Sequence, residues 1–221
     1  MKIIISGDIH GMYNYVNDLI RQEHPDMLII CGDMGYGFPD DKIDSINAMN
    51  TKVLFCDGNH DNHWKLRELK NLAVADNVFY QPRGSTITLP DGRNILFMGG
   101  ANSIDQHHRT VGVSWWPEET ISQSDFQNLP DKDIDIFITH TCSNEIYDKF
   151  IQFKLGGRYT PRKDKDPSYS ALSSLWEMYG PSQWYFGHFH VNVKGQYEGT
   201  RFQALACPVV GSGAWWMELE D

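Results

Sequence analysis

The chain has 221 residues, 41% of them hydrophobic and 22% charged, enough for one large domain with a sizeable core. Its 19 Lys and Arg stand against 29 Asp and Glu, a formal charge of −10 that disfavours non-specific binding to nucleic acid or an anionic membrane. The four cysteines (Cys31, Cys56, Cys142, Cys207) have no close spacing, and no apolar run approaches the roughly 20 residues of a membrane span. The expectation is reduced thiols in a cytoplasmic setting, with no membrane segment and no leader, because the apolar run 3–5 passes straight into Gly7-Asp8.

Residues 2–6 read as a buried strand and 12–23 as a helix with Val16, Leu19 and Ile20 on one face. A strand follows at 27–31, a short helix at 42–49, a third strand at 52–56 and a helix at 62–72. This alternation predicts right-handed crossovers and a parallel sheet in an α/β fold. From 78 to 99 the pattern becomes hairpin-like, with a strand at 86–89, a Pro90-Asp91-Gly92 turn and a strand at 94–98. Residues 117–129 read as a helix with proline in its first turn, 134–139 as a buried strand, and 144–153 and 168–179 as helices. Strands are expected at 184–186, 191–197, 200–206 and 214–219. There is no internal repeat, and the stretch 156–167, where Gly, Pro, Arg and Lys cluster, reads as a mobile loop inside a single domain of residues 1–221.

The chemistry sits where the strands stop. The first ends in Gly7-Asp8-Ile9-His10-Gly11, the second in Gly32-Asp33 and the third in Gly58-Asn59-His60-Asp61. Later strands end in Thr139-His140 and Gly187-His188-Phe189-His190. Ligands of open parallel sheets collect beyond the carboxyl ends of the strands, so five loops bring Asp8, His10, Asp33, Asn59, His60, His140, His188 and His190 together. Imidazole with carboxylate suits Mn, Fe, Zn, Ni or Co, and the absence of thiolate from this set argues against a structural zinc site. Eight groups are too many for one ion and suit two. Two divalent cations with two aspartates and a bridging hydroxide leave the site locally positive, as an anionic phosphate ester requires.

Each motif alone has a plainer explanation. Gly32-Asp33 is an ordinary turn, Asn59 or Asp61 would cap the following helix, and a lone His140 is more often a hydrogen-bonded core residue. Gly187-His188-x-His190 is sharper, because i and i+2 on a strand point to one face. All five in order at strand ends set the plainer explanations aside.

This ordered set resembles the calcineurin-like metallophosphoesterase superfamily, with all five of its motifs along essentially the whole chain. The resemblance implies a four-layer α/β/β/α sandwich of two mixed sheets, with the metal site at the C-terminal ends of the strands. It further implies that Asp8, His10 and His190 hold one divalent ion, that Asn59, His140 and His188 hold a second, and that Asp33 bridges them. His60 corresponds to the family's non-ligand histidine, which contacts the phosphoryl group and is the candidate acid for the leaving oxygen. The implied reaction is hydrolysis of phosphate mono- or diesters by a metal-bridging hydroxide, with manganese first among Mn, Fe, Zn, Ni, Co and Mg. Against the Ser/Thr protein phosphatases, the second motif lacks their Asp and Arg, reading Gly32-Asp33-Met34-Gly35-Tyr36-Gly37, and Asp61 stands where they have Glu. Gly58-Asn59-His60-Asp61 is closer to the cyclic-nucleotide phosphodiesterase branch.

Two segments bear on the substrate, which is expected to be small and phosphorylated or nucleotidic. Segment 99–119 is rich in polar and aromatic residues and resembles one found in bacterial and phage members of the superfamily. In it Arg109 is a candidate phosphate clamp, or alternatively the partner of Asp105 or Glu118. His107 and His108 read as exposed loop, while Trp115 and Trp116, like Trp215 and Trp216, either stack on a base or pack between the sheets. Arg158, Arg162, Lys163 and Lys165 beside Tyr159 form the one dense basic run, a lid over the substrate or a solvated loop. They leave a nuclease or nucleic-acid end phosphatase as the alternative, which the net charge opposes. Asp40, Asp41 and Asp57 are the candidates for orienting His60.

Overall fold

The computed structural model describes residues 1–127, 129–156 and 166–220; the basic run 158–165 lies outside them. Three short apolar strands, β1 (Ile3–Ser6), β2 (Met27–Ile30) and β3 (Lys52–Phe55), pair in parallel, with Ile4 beside Leu28 and Leu28 beside Val53. β4 (Ala73–Ala75) and β5 (Val78–Tyr80) extend this sheet beyond β3. The second sheet contains β6 (Thr86–Thr88), β7 (Asn94–Met98), β8 (Ile136–Thr139), β9 (Gln183–Phe186), β10 (Val193–Tyr197) and β11 (Thr200–Ala204). β12 (Trp216–Glu218) returns to pair antiparallel with β1, so the orders are β12-β1-β2-β3-β5-β4 and β10-β11-β9-β8-β7-β6.

Period-two alternation sets the layers. Ile3, Ile5, Ile29 and Leu54 of the first sheet meet Ile95, Phe97, Ile136 and Ile138 of the second in one buried cluster. The intervening residues point outward. Ile4, Leu28 and Phe55 pack under α1 (Tyr13–Glu23), and Phe137, Trp184 and Phe186 join Tyr169, Leu172 and Leu175 of α5 (Pro167–Tyr179). Each fully buried side chain of this size contributes about 1.5–3 kcal/mol, and the result is the expected sandwich of two mixed sheets with helices outside. Among the described residues no helix is long and apolar enough to cross a membrane, and the four cysteines are free and buried.

Four expected helices are shorter or broken, the first three for a visible reason. At 42–49 only a 3₁₀ turn forms, Ile43–Ser45, because Asn17 of α1 takes the Ser45 carbonyl and the Asn47 amide into its own hydrogen bonds. The expected helix at 62–72 stops as α2 (His63–Arg67), and the chain turns through Leu72 at φ +61° into β4. At 117–129 two 3₁₀ turns, Pro117–Glu119 and Gln123–Phe126, replace a helix, since the carbonyls of Glu118, Glu119 and Thr120 accept from Arg83. The expected helix 144–153 forms as α3 (Asn144–Ile146), a π segment Tyr147–Ile151 and α4 (Gln152–Leu155). The paired tryptophans do not pack between the sheets. Trp116 is buried beneath Phe38 and beside His63, while Trp215 and Trp216 lie half-buried on the α1 side.

Candidate active site

Backbone geometry aims the side chains of the site. His10, Asp33, His188 and His190 all sit at positive φ, between 48° and 67°, where a non-glycine residue costs about 1–3 kcal/mol and persists only if its surroundings hold it. Glycine at 187 has a different reason: a Cβ there would lie 1.9 Å from Asp8 Oδ1. That close approach lets the His188 amide donate to both Asp8 oxygens, at 2.9 and 3.1 Å.

The eight strand-end residues converge in two groups that meet at Asp33. In one, His190 Nε2 lies 2.9 Å from Asp8 Oδ2 and 2.9 Å from His10 Nε2, with Asp33 Oδ2 3.5 Å from His10. In the other, Asn59 Oδ1 lies 3.1 Å from both His140 Nε2 and His188 Nδ1, and Asp33 Oδ1 is 3.3 Å from His140 Nε2. His60 adjoins the first group, its ring 4.6 Å from that of His10, and its amide donates to Asp33 Oδ1 at 2.6 Å.

The charges follow from the crowding. Burial pushes the Asp8 carboxyl up, but hydrogen bonds from His10 and His190 and the charge of His140 hold it well below the ordinary range. Asp33 is likewise lowered, as His140, His60 and His10 outweigh burial. Burial disfavours the charged form of His140, yet Asp33 and Asp8 raise it to about 10; burial and the His140 charge together lower His188 to about 3.

These donors fit divalent cations. His140 directs Nδ1 at the Cys31 carbonyl, 2.8 Å away, which fixes the ring and leaves Nε2 free as a ligand. His188 Nε2 is buried without a hydrogen-bond partner while Nδ1 faces the shared centre. Asp8, Asp33 and His140 present ligand atoms within 4.8 Å of one another, as do His10, Asp33 and His60.

A family model described as calcineurin-like phosphoesterase matches residues 1–192. The chain belongs to that family. No curated protein matches this calcineurin-like phosphoesterase. Among solved structures it resembles a phosphopantetheinyl hydrolase from Mycobacterium tuberculosis, with TM-score 0.57 and 15% identity over 99% of this chain and 95% of that one. The protein TT1561 of Thermus thermophilus matches with TM-score 0.51 and 12% identity over 93% and 89%. GAP50, the anchor in the inner membrane complex of Plasmodium, matches with TM-score 0.51 and 12% identity over 92% and 70%. At these identities the likeness is one of fold. The family membership makes the chain a phosphoric ester hydrolase of a metal-dependent kind.

The loop arm 99–127 of this phosphoesterase closes over the strand ends. Asn59 Nδ2 donates to Ser103 Oγ at 3.2 Å, and Ser103 donates through its amide and hydroxyl to Glu119 at 2.7 and 2.6 Å. The amide group of Asn59 is thereby turned so that Oδ1 faces His140 and His188. Arg109 reaches from the same arm, with Nη2 2.7 Å from His60 Nε2 and Nε 2.7 Å from Asp105. A guanidinium only donates, so His60 Nε2 accepts here. Burial lowers His60 to about 4, opposed by Asp33 and assisted by His10 and Arg109.

Several expectations are corrected. None of Asp40, Asp41 or Asp57 orients His60: Asp41 accepts from Tyr13 and loop amides, Asp57 pairs with Arg83, and Asp40 has no bond to His60. Arg109 orients it, with the Phe38 ring stacked 6.2 Å away. Glu118 pairs with Trp64 and Arg67, leaving Arg109 to Asp105. His107 and His108 are exposed, as expected, while Trp116 is buried beyond reach of a base. Asn62, not Asn59 or Asp61, caps α2; Asp61 instead accepts the amides of Met34, Gly35, Tyr36 and Gly58, tying two ligand loops together. Cys207 was not foreseen beside the site, where its sulfur lies within 4.8 Å of His10 and His190 ring nitrogens. No motif marks it, nor Ser103 and Glu119, because nothing in a polar loop's sequence says which side chains turn inward.

Proposed function

We propose that this chain hydrolyses phosphate mono- or diesters with two divalent cations, manganese first. Asp8, His10 and His190 would hold one, Asn59, His140 and His188 the other, with Asp33 between them. The observation that carries the reading is the pair of donor groups sharing Asp33, one oxygen 3.5 Å from His10 and the other 3.3 Å from His140. When bound, the cations supply an activated water and neutralise charge on the phosphoryl oxygens.

The chain's own residues do the rest. Arg109 meets the incoming phosphoryl group with two parallel donors. That group is a better acceptor than His60, so Arg109 turns to it and frees Nε2 of His60, which takes up a proton from water and then gives it to the leaving oxygen. Asn59, fixed by Ser103, keeps its carbonyl on the metal side throughout. The substrate is a small phosphorylated molecule, since a chain of net charge −10 is ill suited to a nucleic-acid backbone.

The test is hydrolysis of p-nitrophenyl phosphate and bis-p-nitrophenyl phosphate after chelation and reloading with Mn²⁺. Metal-dependent turnover is expected, lowered in Asp33→Asn by at least the roughly 10²- to 10³-fold that deleting one strong electrostatic stabiliser costs. Turnover of undiminished rate in Asp33→Asn would refute the two-ion reading.

A further inference from the structure

We infer that the cavity opening from the strand-end cluster takes phosphate esters whose esterified group is an apolar chain, in preference to a nucleotide. The inference rests on the phosphoesterase reading above and concerns what lies beyond the phosphoryl group. The cavity measures about 600 Å³. That is the size of a site for a medium-sized molecule and far more than a phosphoryl group fills.

Its inner end is formed by Asp33, Asn59, His60, His188 and His190, with Arg109 beside them. Its walls are Ile104, Leu155, Phe189, Val191 and Val210. These come from separate parts of the fold: the arm, the end of α4, the loop after β9 and the loop after β11. Ile104 is 45% exposed and Val210 67% exposed. Large apolar side chains held open to water around a charged centre are what an apolar substrate body would cover.

A nucleobase or sugar needs hydrogen-bonding partners at fixed places, and the described lining offers few away from the cluster. Asp105 is committed to Arg109, and the Ser212 backbone is tied to His190 and Asn192. Lys154 on the rim adds positive charge for the phosphate. The recess on the other side of His60, about 350 Å³, is lined by Asp40 and Asp41 and repels an anion, so the ester approaches from the Arg109 side.

The experiment is calorimetric binding of methyl-, butyl- and hexylphosphonate and of AMP to the Mn²⁺-loaded protein, with p-nitrophenyl phosphate hydrolysis alongside. Affinity should rise with chain length, toward the limit of about fourfold for each fully buried methylene. AMP should bind no more tightly than butylphosphonate. The Ile104→Asn/Val210→Asn double variant, altered only at exposed cavity-mouth residues, should flatten that slope while keeping wild-type affinity for methylphosphonate. A flat slope in the wild type, or AMP tighter than hexylphosphonate, overturns the inference while hydrolysis leaves the phosphoesterase reading standing. Absence of hydrolysis for every ester overturns both.

Discussion

The strand-end floor and the arm that covers it achieve their geometry by opposite means. On the floor, β1, β2, β3, β8 and β9 are apolar strands buried toward their C-terminal ends, and they deliver the donor side chains from short turns, four of them in left-handed backbone. The arm, 99–127, contains no strand of either sheet and only 3₁₀ turns. It is held by side chains: Glu119 on Ser103, Asp105 on Arg109, and above all Arg83, which donates to Asp57, Asp125 and three arm carbonyls. The floor's shape is built into sheet register, whereas the arm's depends on a few buried polar bonds. A handful of substitutions should therefore separate the two.

The largest effect is expected where the arm is pinned. Arg83→Met leaves Asp57 buried without its cation, a loss of about 3–5 kcal/mol that denaturant unfolding would register; a midpoint like the wild type's would mean the arm is held elsewhere. Next comes His60→Gln, which keeps the floor but removes the proposed proton donor. The expected loss is roughly 10²- to 10⁴-fold in kcat, smaller for a p-nitrophenolate leaving group that needs little protonation than for an alkyl ester. Equal losses on both esters would argue that His60 acts only in binding. Ser103→Ala frees the Asn59 amide to rotate and should weaken the affinity for one cation about 10- to 100-fold, sparing the other. Titration with Mn²⁺ would show one site lost from the tight phase, and Ser103→Thr should restore it.

The smallest effect is in acid. Burial raises the Asp57 carboxyl, but Arg83 and His63 overcome it, so its folded value lies below the unfolded one. A lowered carboxylate stabilises the fold above its unfolded value, near pH 4, and that contribution is lost as pH falls through the folded value. The stability of wild-type protein should thus fall more steeply below about pH 4 than that of Arg83→Met. Parallel acid limbs would show that the ion pair contributes nothing to it.

The same contrast explains what could be read without coordinates. Strand periodicity and the Gly-Asp, Gly-Asn-His and Gly-His-x-His endings identify the floor, because sheet topology forces such endings to one edge. The sandwich, the core and the eight converging side chains are legible for that reason. The helix expected over 117–129 was misplaced because its carbonyls are captured by Arg83, a residue more than thirty positions earlier. The orientation of His60 was equally opaque, since Asp57 stands closest in sequence but is consumed by Arg83, and Arg109 arrives from a loop with no periodic signal. Four donors at positive φ have no sequence mark either: two are preceded by glycine, and two are not.

The pairing of β12 with β1 bears on the order of events during synthesis. Ile4 lies beside Glu218, its neighbour in the sheet though more than two hundred residues away along the chain. At roughly 5–20 residues per second the first strand leaves the ribosome about 10–40 s before the strand that flanks it. Through that interval β1 can pair on its β2 side only, with its other edge open and Asp8 and His10 waiting at its end. The closing of the sheet and the completion of the ligand cluster are therefore among the last steps of assembly, and chaperone contact is expected to concentrate on the nascent chain while that edge is open.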